Sequence, residues 1–145
     1  DIDINAIEIA SRNFANISNQ SNLEFYHGSW WEPLEIFKEE IDLAVANPPY
    51  IPKKTYELLP VEVKNFEPKN ALLGGEEGLD HINEIVHHAS LYLKDKGWLF
   101  IENHFDQGDI VKQLFIENRF TSVKVLKDFS GFGRFTIGRY QNNIG

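Results

Sequence analysis

Apolar positions along this chain follow two rhythms. Ile7, Ala10 and Phe14 recur at helical spacing, and Asn5 followed by Glu8 has the form of a capping box, so a helix is predicted over residues 5–15. Leu23, Phe25 and His27 alternate until Gly28-Ser29 interrupts, which predicts a short strand. Ile41 to Ala46 is a nearly continuous, partly β-branched apolar run stopped by Asn47-Pro48-Pro49; that pattern predicts a central parallel strand buried on both faces. From Tyr50 to Gly78 no period holds, and Pro52, Pro60, Pro68, Gly74 and Gly75 punctuate a loop of the length that compact domains usually keep for function. Ile82, Ile85, Val86, Ala89 and Leu93 then mark a helix, Gly97 a turn after it, and Trp98 to Ile101 a strand. Ile110, Val111, Leu114 and Phe115 mark another helix, Val123 and Val125 a strand, and Phe135 to Tyr140 a final strand after the Gly131-Phe132-Gly133 turn.

Helices alternating with apolar strands predict an α/β layer fold with a mainly parallel sheet. The last two strands have no helix between them, so they are expected to pair antiparallel as a C-terminal hairpin. With 145 residues and 16.8 kDa there is room for one domain. A net charge of −8 disfavours a chain that must neutralise many phosphates unaided. The absence of cysteine excludes disulfides, thiolate metal sites and cysteine nucleophiles within it. No run approaches the roughly 20 apolar residues of a membrane span, and no signal-peptide pattern opens the sequence, so a cytoplasmic protein is expected. The lack of any Met and the polar opening predict a fragment. Ligands of open parallel sheets bind beyond the carboxyl ends of strands, which directs attention to Asp1, Ser29 and Asn47.

Asn47-Pro48-Pro49-Tyr50 is the most informative segment. Proline fixes its own φ and drives the preceding residue out of the helical region, so Asn47 and Pro48 are both held extended. The Asn47 side-chain oxygen and the Pro48 carbonyl can then accept the two N–H bonds of a planar amino or amide group. Such a pair aims the nitrogen lone pair and stabilises positive charge as the nitrogen attacks an electrophile, while Tyr50 packs on the group being held.

The stretch Ala46-Asn47-Pro48-Pro49-Tyr50-Ile51-Pro52 resembles the substrate motif of class I S-adenosylmethionine-dependent methyltransferases that alkylate planar nitrogen. Phe66-Glu67-Pro68-Lys69-Asn70-Ala71-Leu72-Leu73-Gly74-Gly75-Glu76-Glu77-Gly78-Leu79-Asp80 narrows this, because it is similar to the peptide chain release factor glutamine methyltransferases. Asp1-Ile2-Asp3, Trp30 and the tail from Asp128 through Gly131 to Arg134 also match. The resemblance implies a Rossmann-like sheet of which this chain, residues 1–145, is the C-terminal part. A preceding small helical domain, the first strands and the glycine-rich cofactor loop are not in it, so catalysis by this chain alone is not expected.

What the resemblance implies for the site is specific. Asp1 would take the ribose hydroxyls of S-adenosylmethionine, and Ser29 stands where many relatives carry an Asp that accepts from the adenine amino group. Trp30 would pack on the adenine, and Asn47 would touch both cofactor and substrate. Asn47 and Pro48 would be the catalytic pair, with Pro49 and Tyr50 completing the substrate site. The implied substrate is the glutamine of the Gly-Gly-Gln segment of peptide chain release factors, methylated on its side-chain nitrogen. The alternatives are a methyltransferase acting on an adenine or guanine amino group and a non-catalytic fragment. His81, Glu84 and His88 share a helical face without the spacing of a zinc helix, Glu67 and Glu102 read as loop and strand-end residues, and no metal is expected.

Overall fold

The computed structural model describes residues 1–17 and 22–142. Helix α1 spans Ile4–Ile17. Its start is capped by Asp3 rather than by the Asn5 box: Asp3 Oδ1 accepts the Asn5 backbone N–H at 2.9 Å, which satisfies one of the donors a helix start leaves open. None of its residues is buried. Residues 22–27 do not form the expected strand. Among the described residues no strand lies beside them: Asp1 N–H donates to Tyr26 O at 3.0 Å and the following Gly28 N–H to Asp1 O at 3.1 Å, and an alternating pattern without a neighbour to complete a ladder stays extended chain.

A 3-10 turn over Glu32–Phe37 leads into β1, Ile41–Ala46. The other strands are β2, Leu93–Glu102, β3, Phe120–Lys127, and β4, Gly133–Tyr140. They form a four-stranded sheet in the order β1-β2-β4-β3. β1 lies parallel to β2, whereas β2 with β4 and β3 with β4 are antiparallel. The α/β class and the antiparallel finish follow the sequence pattern, and the parallel part of the described sheet is the β1–β2 pair. Asp128 closes the β3–β4 turn by accepting the backbone N–H groups of Ser130 and Phe132 at 2.9 and 3.0 Å.

Two helices cover one face of the sheet: α5, Asp80–Tyr92, over β2 and α6, Gly108–Glu117, over β3 and β4. Ile82, Ile85, Val86 and Ala89 of α5 and Val111 and Phe115 of α6 are buried against Leu99 and Ile101, as their helical spacing predicts. Trp31 joins this core, stacked on Tyr92 at 4.9 Å between centroids with its indole N–H donated to Ile85 O at 3.0 Å. Leu93, expected in the helix, instead opens β2 after α5 ends at Tyr92, and two more expectations need correction. β1 stands at an edge of the described sheet, with Leu43 54% and Val45 75% exposed; a continuous apolar run marks two faces that could be buried, and only the Ala44 and Ala46 face has a layer on it. Gly97 is not a turn after α5 but lies inside β2, beside Lys96 at φ 68°, where the β1–β2 register shifts.

The aperiodic stretch after Tyr50 contains three short helices: α2, Lys53–Glu57, α3, Val61–Phe66, and α4, Lys69–Leu72. Each is immediately preceded by a proline, Pro52, Pro60 and Pro68, with extended ψ of 146°, 145° and 132°. Proline supplies the non-helical entry to each turn.

Candidate functional site

β1 and β2 run the same way and end together: Ala46 pairs with Ile101, so Asn47 leaves the sheet beside Glu102. Pro48 is fully buried, while Asn47 is exposed and Pro49 and Tyr50 are half-buried. The prolines thus anchor the segment and leave the Asn47 carboxamide at the surface. Among the described residues no hydrogen bond occupies that carboxamide.

Tyr50 is fixed from several sides. Its hydroxyl donates to Glu102 Oε1 at 2.9 Å, the Arg134 guanidinium lies 6.0 Å from its ring centroid, and the His104 ring is 6.2 Å away. Burial first, and the Glu102 hydrogen bond second, raise the phenol above its ordinary value of 10.0, against a smaller opposing pull from Arg134. The ring therefore stays neutral and oriented at neutral pH. Arg134 is itself within 3.6 Å of Asp128, so the hairpin turn that closes β3 and β4 also reaches this site.

The glycine-rich segment packs behind the motif. Ile51 N–H donates to Leu72 O at 3.0 Å, Gly74 N–H to Ile51 O at 2.9 Å and Lys53 N–H to Gly75 O at 2.9 Å. A Cβ on Gly74 would lie 2.7 Å from Pro49 O, and one on Gly78 would lie 2.3 Å from Tyr50 O. Both positions need the hydrogen that glycine carries there, and Gly78 also sits at φ +75°. These glycines admit the backbone of the Pro49–Tyr50 segment rather than a phosphate.

Asp1, Ser29 and Trp30 form a second group. The Gly28 N–H bond to Asp1 O brings them together. Asp1 Oδ1 accepts the Asp3 N–H at 2.8 Å, and the Ser29 N–H donates to the Glu32 carboxylate at 3.3 Å. Trp30 is half-buried at φ 43°, a backbone region that bulky residues rarely enter, and its ring meets His81 at 5.5 Å. The tryptophan pair divides its work: Trp31 is the core residue and Trp30 the partly open one.

No hydrogen bond or ring contact among the described residues joins Asn47 directly to this group. The connection runs through α5, where His81 meets Trp30 and the Asp80 N–H donates to Gly74 O at 3.0 Å. Two residues of the site escaped the sequence reading. Glu102 closes β2, the strand-end place its sequence position indicates, and from there it also orients Tyr50. Gln107 was unmarked, yet its buried carboxamide donates to Tyr50 O at 3.1 Å and Gly78 O at 3.2 Å. A polar residue just before an apolar helical run was the available signal for Gln107. Among the described residues no group of three or more His, Cys, Asp or Glu side chains could hold a metal ion, and no helix is long and apolar enough to cross a membrane.

No family model matches the sequence. The chain is 36% identical over 130 residues to the release factor glutamine methyltransferase of Prochlorococcus marinus, covering 90% of this chain and 44% of that protein. It is likewise 36% identical over 135 residues to that of Aliivibrio fischeri, covering 93% and 46%. It therefore spans about half the length of the curated relatives it matches. Two solved structures share the fold: a possible exported protein from Bordetella parapertussis, at TM-score 0.63, 15% identity and coverage of 97% of this chain and 52% of that one, and the E. cuniculi Mtq2–Trm112 complex responsible for methylation of the eRF1 translation termination factor, at TM-score 0.53, 18% identity and coverage of 88% and 66%.

Proposed function

We propose that this chain, homologous along nine-tenths of its length to release factor glutamine methyltransferases, is the substrate-binding part of an S-adenosylmethionine-dependent enzyme that methylates the side-chain nitrogen of a release-factor glutamine. The observation that carries the reading is the exposed Asn47 beside the buried Pro48, rigidly set at the shared end of β1 and β2 with Tyr50 locked next to them. The Asn47 side-chain oxygen and the Pro48 carbonyl accept the two N–H bonds of the glutamine amide. An amide nitrogen is a poor nucleophile because its lone pair is delocalised, so orienting that lone pair is the main catalytic task. The Tyr50 ring covers the planar amide and helps exclude water.

S-adenosylmethionine supplies an activated methyl group, so no strong base is needed before attack and the surplus proton leaves afterwards. The residues of the second group fit its adenosyl half: an exposed carboxylate at Asp1 for ribose hydroxyls, a hydroxyl at Ser29, and a partly open Trp30 ring as a flat apolar surface. Asn47 would sit between cofactor and substrate. An acidic chain suits a protein substrate, whose glutamine needs no phosphate contacts to be held.

The test is methylation of a purified release factor by the product of the complete reading frame that encodes this segment, read by intact mass and peptide mapping. One added methyl on the Gly-Gly-Gln glutamine is expected, with Asn47→Ala lowering kcat by about a hundredfold or more while cofactor binding weakens less. Transfer to DNA or RNA instead would overturn the substrate assignment and leave the planar-nitrogen chemistry standing. Transfer to none of them would favour a non-catalytic segment.

A further inference from the structure

We infer that Gln107 is a positioning residue that sets the substrate-holding segment by tying it to the glycine-rich segment. The inference rests on the reading of Asn47–Tyr50 as the glutamine-binding segment. Gln107 stands immediately before α6 and is 6% exposed. Its side-chain nitrogen faces three carbonyls: Tyr50 at 3.1 Å, Gly78 at 3.2 Å and, more weakly, Glu77 at 3.4 Å. Its side-chain oxygen accepts the His104 backbone N–H at 2.9 Å. One carboxamide therefore joins the segment after β1, the glycine-rich segment before α5 and the turn after β2.

The arrangement is selective for a neutral amide of this length. A carboxylate in the same place would turn an acceptor toward three acceptors, and an apolar side chain would leave the Tyr50 and Gly78 carbonyls without their donor. Gly78 is part of the same device, because a Cβ there would lie 2.8 Å from Gln107 Nε2 as well as against Tyr50 O. Tyr50 follows Pro48 and Pro49, whose backbone is stiff, so a shift at the Tyr50 carbonyl passes to the Pro48 carbonyl with little damping. Core packing around α6 is carried by Val111 and Phe115, not by Gln107. The role is thus separable from holding the helix.

The experiment compares Gln107→Met, which keeps size and removes the donors, with Gln107→Glu, which keeps the His104 acceptor and reverses the nitrogen's polarity. Both are made in the product of the complete reading frame. Two readouts are taken: kcat and KM for release-factor methylation, and amide hydrogen exchange at Ile51, Lys53 and Gly74, whose N–H groups bridge the two segments. Each variant is expected to lose about tenfold to a hundredfold in kcat with KM little changed, and to exchange faster at those three amides while the β2–β4 ladder keeps its protection. Parent-like kcat and parent-like exchange in both variants would overturn the inference. So would a uniform rise in exchange across the sheet, which marks a purely structural role. If the parent methylates no release factor, the substrate reading falls, and local exchange still decides whether Gln107 ties the two segments. Should one variant fail to fold, the other carries both readouts.

Discussion

At the scale of single residues, the candidate site sets a fixed Tyr50 ring beside an exposed Asn47 carboxamide on a proline-stiffened backbone. The stiff exit of Asn47 and Pro48 from β1 was legible in the sequence because proline acts locally, on its own φ and on its neighbour. Glu102 and Gln107 were not, because each acts on the motif across the chain, 52 residues from Tyr50 for Glu102 and 57 for Gln107. The Tyr50–Glu102 bond leads to a pH prediction. The folded phenol titrates above its ordinary value of 10.0, through burial and then Glu102, so the folded state holds that proton after the unfolded chain has released it. Its stabilising contribution is complete below pH 10.0 and disappears as pH rises through the higher folded value. Denaturant unfolding of parent and Tyr50→Phe, followed upward from pH 9, should show the parent losing stability in that alkaline window by more than the variant. Equal losses would place Tyr50 in a water-like setting. Tyr92, also raised, is common to both proteins and drops out of the difference.

At the scale of elements, periodicity identified what packing rewards. The apolar stripes of α5 and α6 are buried where their spacing put them, whereas the alternation at Leu23, Phe25 and His27 made no strand because a strand exists only in a pair. The prolines of the aperiodic stretch were legible as punctuation but not as helix starts, since the turns that follow them are too short to show a period. The glycine-rich segment was legible only as a family signature, and its physical purpose is the close approach of two backbones. Gly78→Ala tests that purpose. An alanine at φ +75° costs roughly 1–2 kcal/mol from backbone strain, and its Cβ would overlap the Tyr50 carbonyl at 2.3 Å. The expected result is a fall in stability of at least about that size, with methyl transfer lowered further than stability alone accounts for. Gly131→Ala gauges the strain alone: it shares a positive φ of 88° and meets nothing within 4 Å, so it should lose stability through its backbone without any overlap on Tyr50.

At the scale of the whole molecule, the sheet has two unlike faces. One carries α5 and α6 and the buried side chains Leu99, Ile101, Thr136 and Tyr140. The other presents Leu43 and Val45 of β1, next to Trp98 and Phe100, their partners on β2, and Ile137, the partner of Phe100 on β4. These side chains are half-buried or exposed. The apolar run at Ile41 to Ala46 anticipated burial on both faces, and the described residues provide one layer of it. An edge strand with exposed apolar residues, continuous with an apolar sheet face, is a surface on which copies of a chain associate. The 145-residue chain by itself is therefore expected to show concentration-dependent association by light scattering. Val45, 75% exposed, is the position from which to oppose this. Val45→Lys adds a charge to the edge without opening the core, so unfolding stability should change by no more than about 0.5 kcal/mol while association weakens. A stability loss well beyond that would mean that Val45 is packed in solution, and unchanged association would move the contact to another surface.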